Sequence, residues 1–194
     1  NGGDGLAAAR ILKNWGYRPE IILSSDPENL KGVNSKNFDL AVLNKIKYYH
    51  YNDLKEVEFL KIIENSDLII DALLGTGIKG ELRGSVKEII NLLNQKALRQ
   101  PLTLAVDIPS GVIGLNGKLA GEALKADYTA TMAAYKRGLL FYPGRDYAGE
   151  LKVIEIGIQP ETIEKRGDGL KVFNKKEAQK LLPQRGNDSH KGSF

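Results

Sequence analysis

The spacing of apolar residues predicts a series of helices along the chain. Residues 5–15 combine strong helix formers with apolar positions at helical spacing, and Gly16 follows as a helix terminator. Further helical patterns, of unequal strength, cover residues 28–45, 53–64 and 84–96. We therefore expect at least four helices in the first hundred residues.

Short apolar runs alternate with these helices. The runs at 20–24, 67–74 and 102–107 are typical of buried parallel strands, and further strands are predicted at 127–132 and 151–156. The alternation predicts the α/β class, a three-layer αβα sandwich with a mainly parallel, Rossmann-like sheet. Ligands of such sheets bind beyond the carboxyl ends of the strands, so the loops that follow the strands are the candidate site.

Composition agrees with a folded globular domain. The chain has 194 residues, 42% apolar and 27% charged, which suits one domain or one domain with the edge of another. Six of the 28 basic side chains but only two of the 24 acidic ones lie in residues 171–194. The formal net charge of +4 therefore belongs to this tail, and we expect no nucleic-acid surface.

The residue types that are scarce exclude several kinds of chemistry. There is no cysteine, which excludes disulfides, thiolate catalysis and Cys-ligated metal centres, and there are only two histidines. The lack of cysteine fits a reducing compartment, so we expect a cytoplasmic protein. No apolar run reaches the roughly 18 residues of a membrane helix, so no membrane-spanning segment is expected.

The segment Asn-Gly-Gly-Asp-Gly at residues 1–5 is the first candidate ligand loop. Glycines before a helix let the backbone approach a ligand, and the amides at the helix start attract anions. Asn1 offers a side-chain oxygen, and Asp4 could cap the helix or bind a ligand. The alternative is a plain glycine turn in which Asp4 is only the helix cap.

The second candidate follows the strand that contains Asp71. Its loop, Gly-Thr-Gly-Ile-Lys-Gly-Glu at 75–81, is a potential backbone cradle for phosphates, although it is neither a Walker A loop nor in the usual place for a dinucleotide fingerprint. Asp71 lies in an apolar strand, and burying an unpartnered carboxylate is costly. We therefore expect a cation or hydrogen-bond donors beside it, or else that Asp71 caps a neighbouring element.

The third candidate is Val-Asp-Ile-Pro-Ser-Gly at 106–111. Asp107 ends a predicted strand, where its carboxylate would face the ligand crevice, and Ser110 offers a hydroxyl and a carbonyl. Together with Asn1 and Asp71, Ser110 makes an all-oxygen set, which suits hard cations. The small formal charge of this set favours a monovalent ion.

Two other positions are weaker candidates. Lys136 and Arg137 follow a predicted strand and could neutralise a ligand phosphate, or they could simply form a solvated basic turn. His50 lies in a tyrosine-rich stretch, and we expect no catalytic role for it.

The three motifs, in this order and spacing, resemble those of the NAD(P)H-hydrate epimerase family over nearly all of residues 1–158. The segment Arg-Gly-Asn-Asp-Ser-His-Lys-Gly-Ser-Phe at 185–194 resembles the entry to the ADP-dependent NAD(P)H-hydrate dehydratase domain. The resemblance implies an epimerase domain over 1–170 that lacks its N-terminal part. Residues 171–194 would be a linker and the truncated start of a dehydratase domain.

The resemblance also implies a reaction and its partners. The family interconverts the R and S hydrates of NADH and NADPH (NADHX and NADPHX) at ring carbon 6, for a fused or separate dehydratase that takes only the S form. Members often form homodimers. Asp107 would be the acid–base residue. A potassium ion would be held by Asn1, Asp71 and Ser110. Substrate-binding positions would be Asn1, Gly2, Gly3, Asp4, Gly75, Thr76, Gly77, Ile78, Lys79, Gly80, Glu81 and Asp107.

Three alternatives compete with the epimerase. One is a non-catalytic nucleotide-binding scaffold of the same fold, which would have no need of Asn1, Asp71, Asp107 and Ser110 together. Another is that the dehydratase is the main activity of the parent protein, although its catalytic apparatus is absent from this sequence. An ordinary hydride-transferring dehydrogenase lacks its first-strand fingerprint here.

Overall fold

A computed structural model describes residues 2–78, 80–95, 101–167, 169–173 and 175–181. These residues form two compact units, one within 1–157 and one within 158–194. The predicted division at residue 171 between an epimerase domain and the start of a dehydratase domain stays a prediction. No helix in the described part of the chain has the length and apolar character needed to cross a membrane.

The first unit alternates strands and helices, as the apolar pattern predicts. Its strands are β1 (Glu20–Leu23), β2 (Lys47–His50), β3 (Leu68–Asp71), β4 (Leu102–Val106), β5 (Tyr128–Met132) and β6 (Glu150–Ile154). Its helices are α1 (Gly2–Asn14), α2 (Val33–Leu43), α3 (Glu56–Glu64), α4 (Gly84–Asn94) and α5 (Gly144–Tyr147). The second unit contains α6 (Pro160–Arg166) and α7 (Lys175–Leu181).

Every pairing between these strands is parallel. Among the described residues, β1 pairs with β2, and a four-stranded sheet has the order β3-β4-β5-β6. Helices pack on these strands, so the predicted three-layer α/β fold is confirmed. In the second sheet Asp71 pairs with Ala105 and Val106 with Ala130, which brings the carboxyl ends of β3, β4 and β5 together.

Three apolar clusters hold the loops of this edge in place. One joins α1, β1 and α2 through Leu6, Leu23 and Phe38. The second anchors the loop before α4 through Leu82, Ile90, Ala120 and Leu124. The third holds the turn after β4 through Ile108, Val112, Ala123, Leu139 and Ala148, all of them fully buried. The loops after β3 and β4 are therefore anchored in the core, and the loop after β3 has exposed residues at Thr76 and Gly77.

Several elements differ from the predictions. Strand β2 was not predicted. In place of the single helix predicted over 28–45, the chain forms a short 3-10 turn, Pro27–Asn29, followed by α2. The chain leaves strand geometry after Asp71, so the apolar residues at 72–74 belong to a loop rather than to β3. Helix α1 begins at Gly2, although glycine is a poor helix former and residues 1–5 were predicted to be a loop.

Candidate active site

Asp71 and Ser110 join the loops that follow β3 and β4. The Ser110 backbone N–H donates to Asp71 Oδ2 at 2.7 Å, and the Ser110 hydroxyl donates to Asp71 Oδ1 at 2.6 Å. The same hydroxyl oxygen accepts a hydrogen bond from the Leu74 N–H at 2.9 Å, and Asp71 Oδ1 accepts one from the Leu73 N–H at 3.2 Å. Asp71 is 3% exposed and Ser110 is fully buried. The expected donors beside Asp71 are thus provided by the turn after β4.

Both oxygens of Asp71 accept hydrogen bonds, but no described basic side chain neutralises its negative charge. Burial raises the pKa of Asp71 above the ordinary value of a carboxyl group, and the hydrogen bonds from Ser110 and Leu73 oppose that rise. Within the described residues, no lysine or arginine forms an ion pair with Asp71. A bound cation would balance a buried carboxylate that has one hydroxyl neighbour and, among the described residues, no basic partner. The third predicted ligand, Asn1, lies outside the described residues.

The start of α1 lies against the chain that leaves β3. A Cβ atom on Gly5 would lie 2.7 Å from the Cβ atom of Ala72, and one on Gly3 would lie 2.5 Å from Asn34 Oδ1. The predicted binding positions Gly2, Gly3 and Asp4 therefore form the first turn of a helix and not a loop. These positions can still bind an anion, because the first N–H groups of a helix have no partner within the helix and attract negative charge.

The loop at 75–81 has an exposed tip and a buried anchor. Thr76 and Gly77 form an exposed turn, whereas Ile78 packs against the apolar cluster of α4. Leu82, just beyond the loop, donates from its N–H to the Ala120 carbonyl at 2.8 Å. Gly75, Gly80 and Glu81 complete the described part of this predicted binding segment, and Lys79 lies outside the described residues.

Asp107 stands at the end of β4 in a backbone conformation that is rare for a residue with a side chain, with φ of +69°. Its Oδ1 accepts a hydrogen bond from the Met132 N–H at 2.9 Å and contacts the Thr131 hydroxyl at 3.5 Å. The ammonium group of Lys136 also donates to Oδ1, forming an ion pair. The side chain of Asp107 is 13% exposed, so it reaches the surface without being freely solvated.

Sequence reasoning missed the pairing of Asp107 with Lys136. The side chain of Lys136 is 21% exposed and donates to Asp107 and to the Met132 carbonyl, so it is not a freely solvated turn residue, and its role as a phosphate ligand stays a prediction. Arg137 instead lies 6.0 Å from the centre of the Phe141 ring. The position of Lys136 just after β5 was the available signal, because parallel strands end at one edge.

The loop that carries Lys136 is packed backbone against backbone. A Cβ atom on Gly138 would lie 2.2 Å from the Ile113 carbonyl oxygen, and one on Gly144 would lie 2.3 Å from the Gly138 carbonyl oxygen. Neither position has room for any side chain. The segment after β5 is therefore held rigidly against residues 113–117.

His50 ends β2 in the other sheet and takes no part in this arrangement. Its Nε2 lies 3.4 Å from Asp26 Oδ1, and its Nδ1 lies 3.7 Å from Asp53 Oδ2. The three loops that follow β3, β4 and β5, together with the start of α1, are thus the candidate site.

Comparisons with known proteins agree on one family. Residues 1–138 match the family model described as the N-terminus of YjeF-related proteins. The chain is 34% identical over 194 residues to the bifunctional NAD(P)H-hydrate repair enzyme of Thermofilum pendens, and the match covers 100% of this chain but 36% of that protein. It is 37% identical over 158 residues to the NAD(P)H-hydrate epimerase of Levilactobacillus brevis, covering 81% of this chain and 68% of that protein.

A solved structure supports the architecture. The crystal structure of a yeast protein superposes with a TM-score of 0.66 at 19% identity, over 90% of this chain and 70% of that one. At this level of identity the likeness shows the fold alone. The chain itself spans about a third of the length of the bifunctional relatives that it matches, from 31% to 38%.

Proposed function

The chain belongs to the family of YjeF-related N-terminal domains, and from that premise we propose that it epimerises the R and S hydrates of NADH and NADPH. Relatives named NAD(P)H-hydrate epimerase support the reaction. The observation that carries the proposal is the placement of Asp107: a carboxylate at the carboxyl end of a central strand, next to glycine-rich backbone that can hold a nucleotide.

Asp107 is proposed as the acid–base residue. The Asp107 carboxylate, which is ion-paired with Lys136 in the free protein, first takes a proton from solvent. It passes this proton to the hydroxyl group, which leaves carbon 6 of the hydrate as water while the lone pair of the ring nitrogen forms a C=N⁺ bond. Water then adds to the opposite face of the ring and gives a proton to the Asp107 carboxylate, which returns it to solvent. Proton transfer of this kind contributes about 10²–10⁴-fold to a rate. A route through an opened ring needs the same proton exchange.

The nucleotide is proposed to lie across α1 and the loop at 75–81. The free N–H groups of the first turn of α1 suit the pyrophosphate, because the helix dipole favours negative charge there. The exposed backbone of Thr76 and Gly77 can approach the ribose closely, since no bulky side chain stands at the tip. In this proposed placement the nicotinamide ring lies at the end of β4.

Asp71 and Ser110, with Asn1, are proposed to hold a potassium ion. When bound, the ion supplies the positive charge that the buried Asp71 carboxylate lacks among the described residues. Asp71 and Ser110 in turn fix the loops after β3 and β4 relative to each other, and Asp107 lies three residues from Ser110 on the second of them. The site thus links cation binding to the geometry of the acid–base residue.

The test is epimer exchange. Purified R-NADHX is incubated with the protein, and the two epimers are separated by chromatography over time, with a protein-free control because the epimers also interconvert spontaneously. Exchange clearly faster than the control supports the proposal. Exchange no faster than the control, with the nucleotide still bound, would instead indicate a nucleotide-binding scaffold.

A wider role follows from the bifunctional relatives. We propose that the whole protein also carries an ADP-dependent dehydratase, for which the epimerase supplies the S form. The residues predicted to begin that domain, 185–194, lie outside the described part of the structure. The cytoplasmic location and the homodimer stay predictions.

A further inference from the structure

The two oxygens of the Asp107 carboxylate have different surroundings. Oδ1 accepts hydrogen bonds from the Met132 N–H and the Lys136 ammonium group. It also lies 3.5 Å from the Thr131 hydroxyl, which is 3.3 Å from the Ala134 carbonyl. Among the described residues, Oδ2 accepts no hydrogen bond. Because a carboxylate accepts along both oxygens, this asymmetry leaves Oδ2 as the oxygen available to a ligand in the crevice.

Lys136 is the charged member of this arrangement and is itself held in place. Its ammonium group also donates to the Met132 carbonyl at 2.8 Å, so one lysine joins Asp107 to the end of β5. The backbone on both sides is constrained, since Ala133 has φ of +63° and Gly138 has no space for a side chain. A lysine used in this way is not free to follow a substrate phosphate.

We propose that Lys136 is a positioning residue of the epimerase: it holds Asp107 through Oδ1, so that Oδ2 alone exchanges the proton with the hydrated nicotinamide ring. The inference rests on the proposed function. It assigns Lys136 no contact with the substrate. Its loss should therefore slow turnover and leave substrate affinity nearly unchanged.

The first experiment compares Lys136→Gln and Lys136→Arg with the unaltered chain in the epimer-exchange assay. We expect Lys136→Gln to lower kcat by about 10- to 100-fold while KM stays within about threefold, and Lys136→Arg to recover part of that loss. Lys152→Met, which removes an exposed lysine on β6, is the matched control and should change neither constant. A raised KM with an unchanged kcat would overturn the proposal and favour a phosphate contact.

Chemical rescue separates positioning from a merely structural role. Since the chain contains no cysteine, Lys136→Cys creates a single thiol. Alkylation with 2-bromoethylamine restores an ammonium group at nearly the original length, whereas iodoethanol adds a neutral side chain of similar size. We expect the first reagent alone to restore the rate by about tenfold or more. Equal recovery with both reagents, or none with either in a folded protein, would contradict the proposal.

Asp107→Asn distinguishes failure of this inference from failure of the proposed function. An inactive Asp107→Asn with fully active Lys136→Gln would overturn the role of Lys136 and leave the epimerase proposal standing. Unchanged exchange in Asp107→Asn would overturn both the acid–base assignment and the inference. No exchange by the unaltered chain would overturn the inference together with the function on which it rests.

Discussion

Ser110 donates to both oxygens of the Asp71 carboxylate, with its backbone N–H at 2.7 Å from Oδ2 and its hydroxyl at 2.6 Å from Oδ1. The pair is fully enclosed and ties the loop after β3 to the loop after β4. The same hydroxyl oxygen accepts from the Leu74 N–H, so removing it leaves a buried donor and a buried acceptor short of partners.

We therefore expect Ser110→Ala to lower the free energy of unfolding by about 1–3 kcal/mol, the cost of leaving buried polar groups unsatisfied. Urea unfolding measures the change. Ser85→Ala is the matched control: it removes a surface hydrogen bond to Asn52, and its effect should stay within about 0.5 kcal/mol. Equal effects of the two substitutions would show that the enclosed pair contributes little.

Asp71→Asn should abolish stabilisation by potassium. It removes the charge that the proposed ion would balance and alters the volume very little. For the unaltered chain, potassium at about 100 times its Kd should stabilise the fold by roughly 2.7 kcal/mol relative to an equal concentration of tetramethylammonium. Thermal unfolding in the two salts measures the difference, with Asp39→Asn on the exposed face of α2 as the control. A potassium effect that persists in Asp71→Asn would place the ion elsewhere.

Asp107→Asn should reduce epimer exchange by about 10²–10⁴-fold, because an amide cannot give or take the proton. The fold should tolerate the change, since asparagine is one of the few residues that adopt the left-handed backbone found at Asp107. Substrate affinity, measured by equilibrium binding, should change little. Asp127→Asn alters a carboxylate at the opposite end of β5, where it accepts from the Thr103 N–H, and should leave exchange intact.

Gly77→Ala should weaken substrate binding without weakening the fold. A Cβ atom at this position would meet nothing within 4 Å, so the free protein has room for it, but the proposed nucleotide site does not. A rise in Kd of about tenfold corresponds to ~1.4 kcal/mol.

Gly157→Ala should behave in the opposite way. The added atom again meets nothing within 4 Å, but φ is +79°, so the backbone would be strained by about 1–2 kcal/mol. Unfolding and binding measurements on both variants separate the two effects. A loss of stability in Gly77→Ala, with affinity unchanged, would argue against this loop as the binding segment.

The sequence predicted best those features that depend on local pattern. Strands β3 and β4, helix α4 and the loops after the strands follow from runs of apolar residues and from glycine. The need of Asp71 for donors also followed, because a carboxylate in an apolar strand must be satisfied. What supplies the donors is the parallel register of β3 and β4, which brings Ser110 to Asp71.

Other features depend on contacts that a local pattern does not contain. Helix α1 extends back to Gly2 because Gly3 and Gly5 pack closely against Asn34 and Ala72, which overrides the low helix propensity of glycine. The ion pair of Asp107 and Lys136 joins residues 29 positions apart, and it exists because β4 and β5 are neighbours. Strand β2 is as long as β1 and β3, but its sequence, Lys-Tyr-Tyr-His, contains no run of aliphatic residues that would predict a buried strand.

The close packing of Gly138 and Gly144 has a consequence for anyone who wishes to change the substrate preference of this protein. The wall of the crevice that carries Lys136 admits no added atom at these two positions, so libraries built there would consist largely of misfolded variants. Thr76 and Gly77, on the exposed turn facing the proposed nucleotide, have no such constraint from the core. Directed evolution should therefore vary Thr76 and Gly77 and leave Gly138 and Gly144 unchanged.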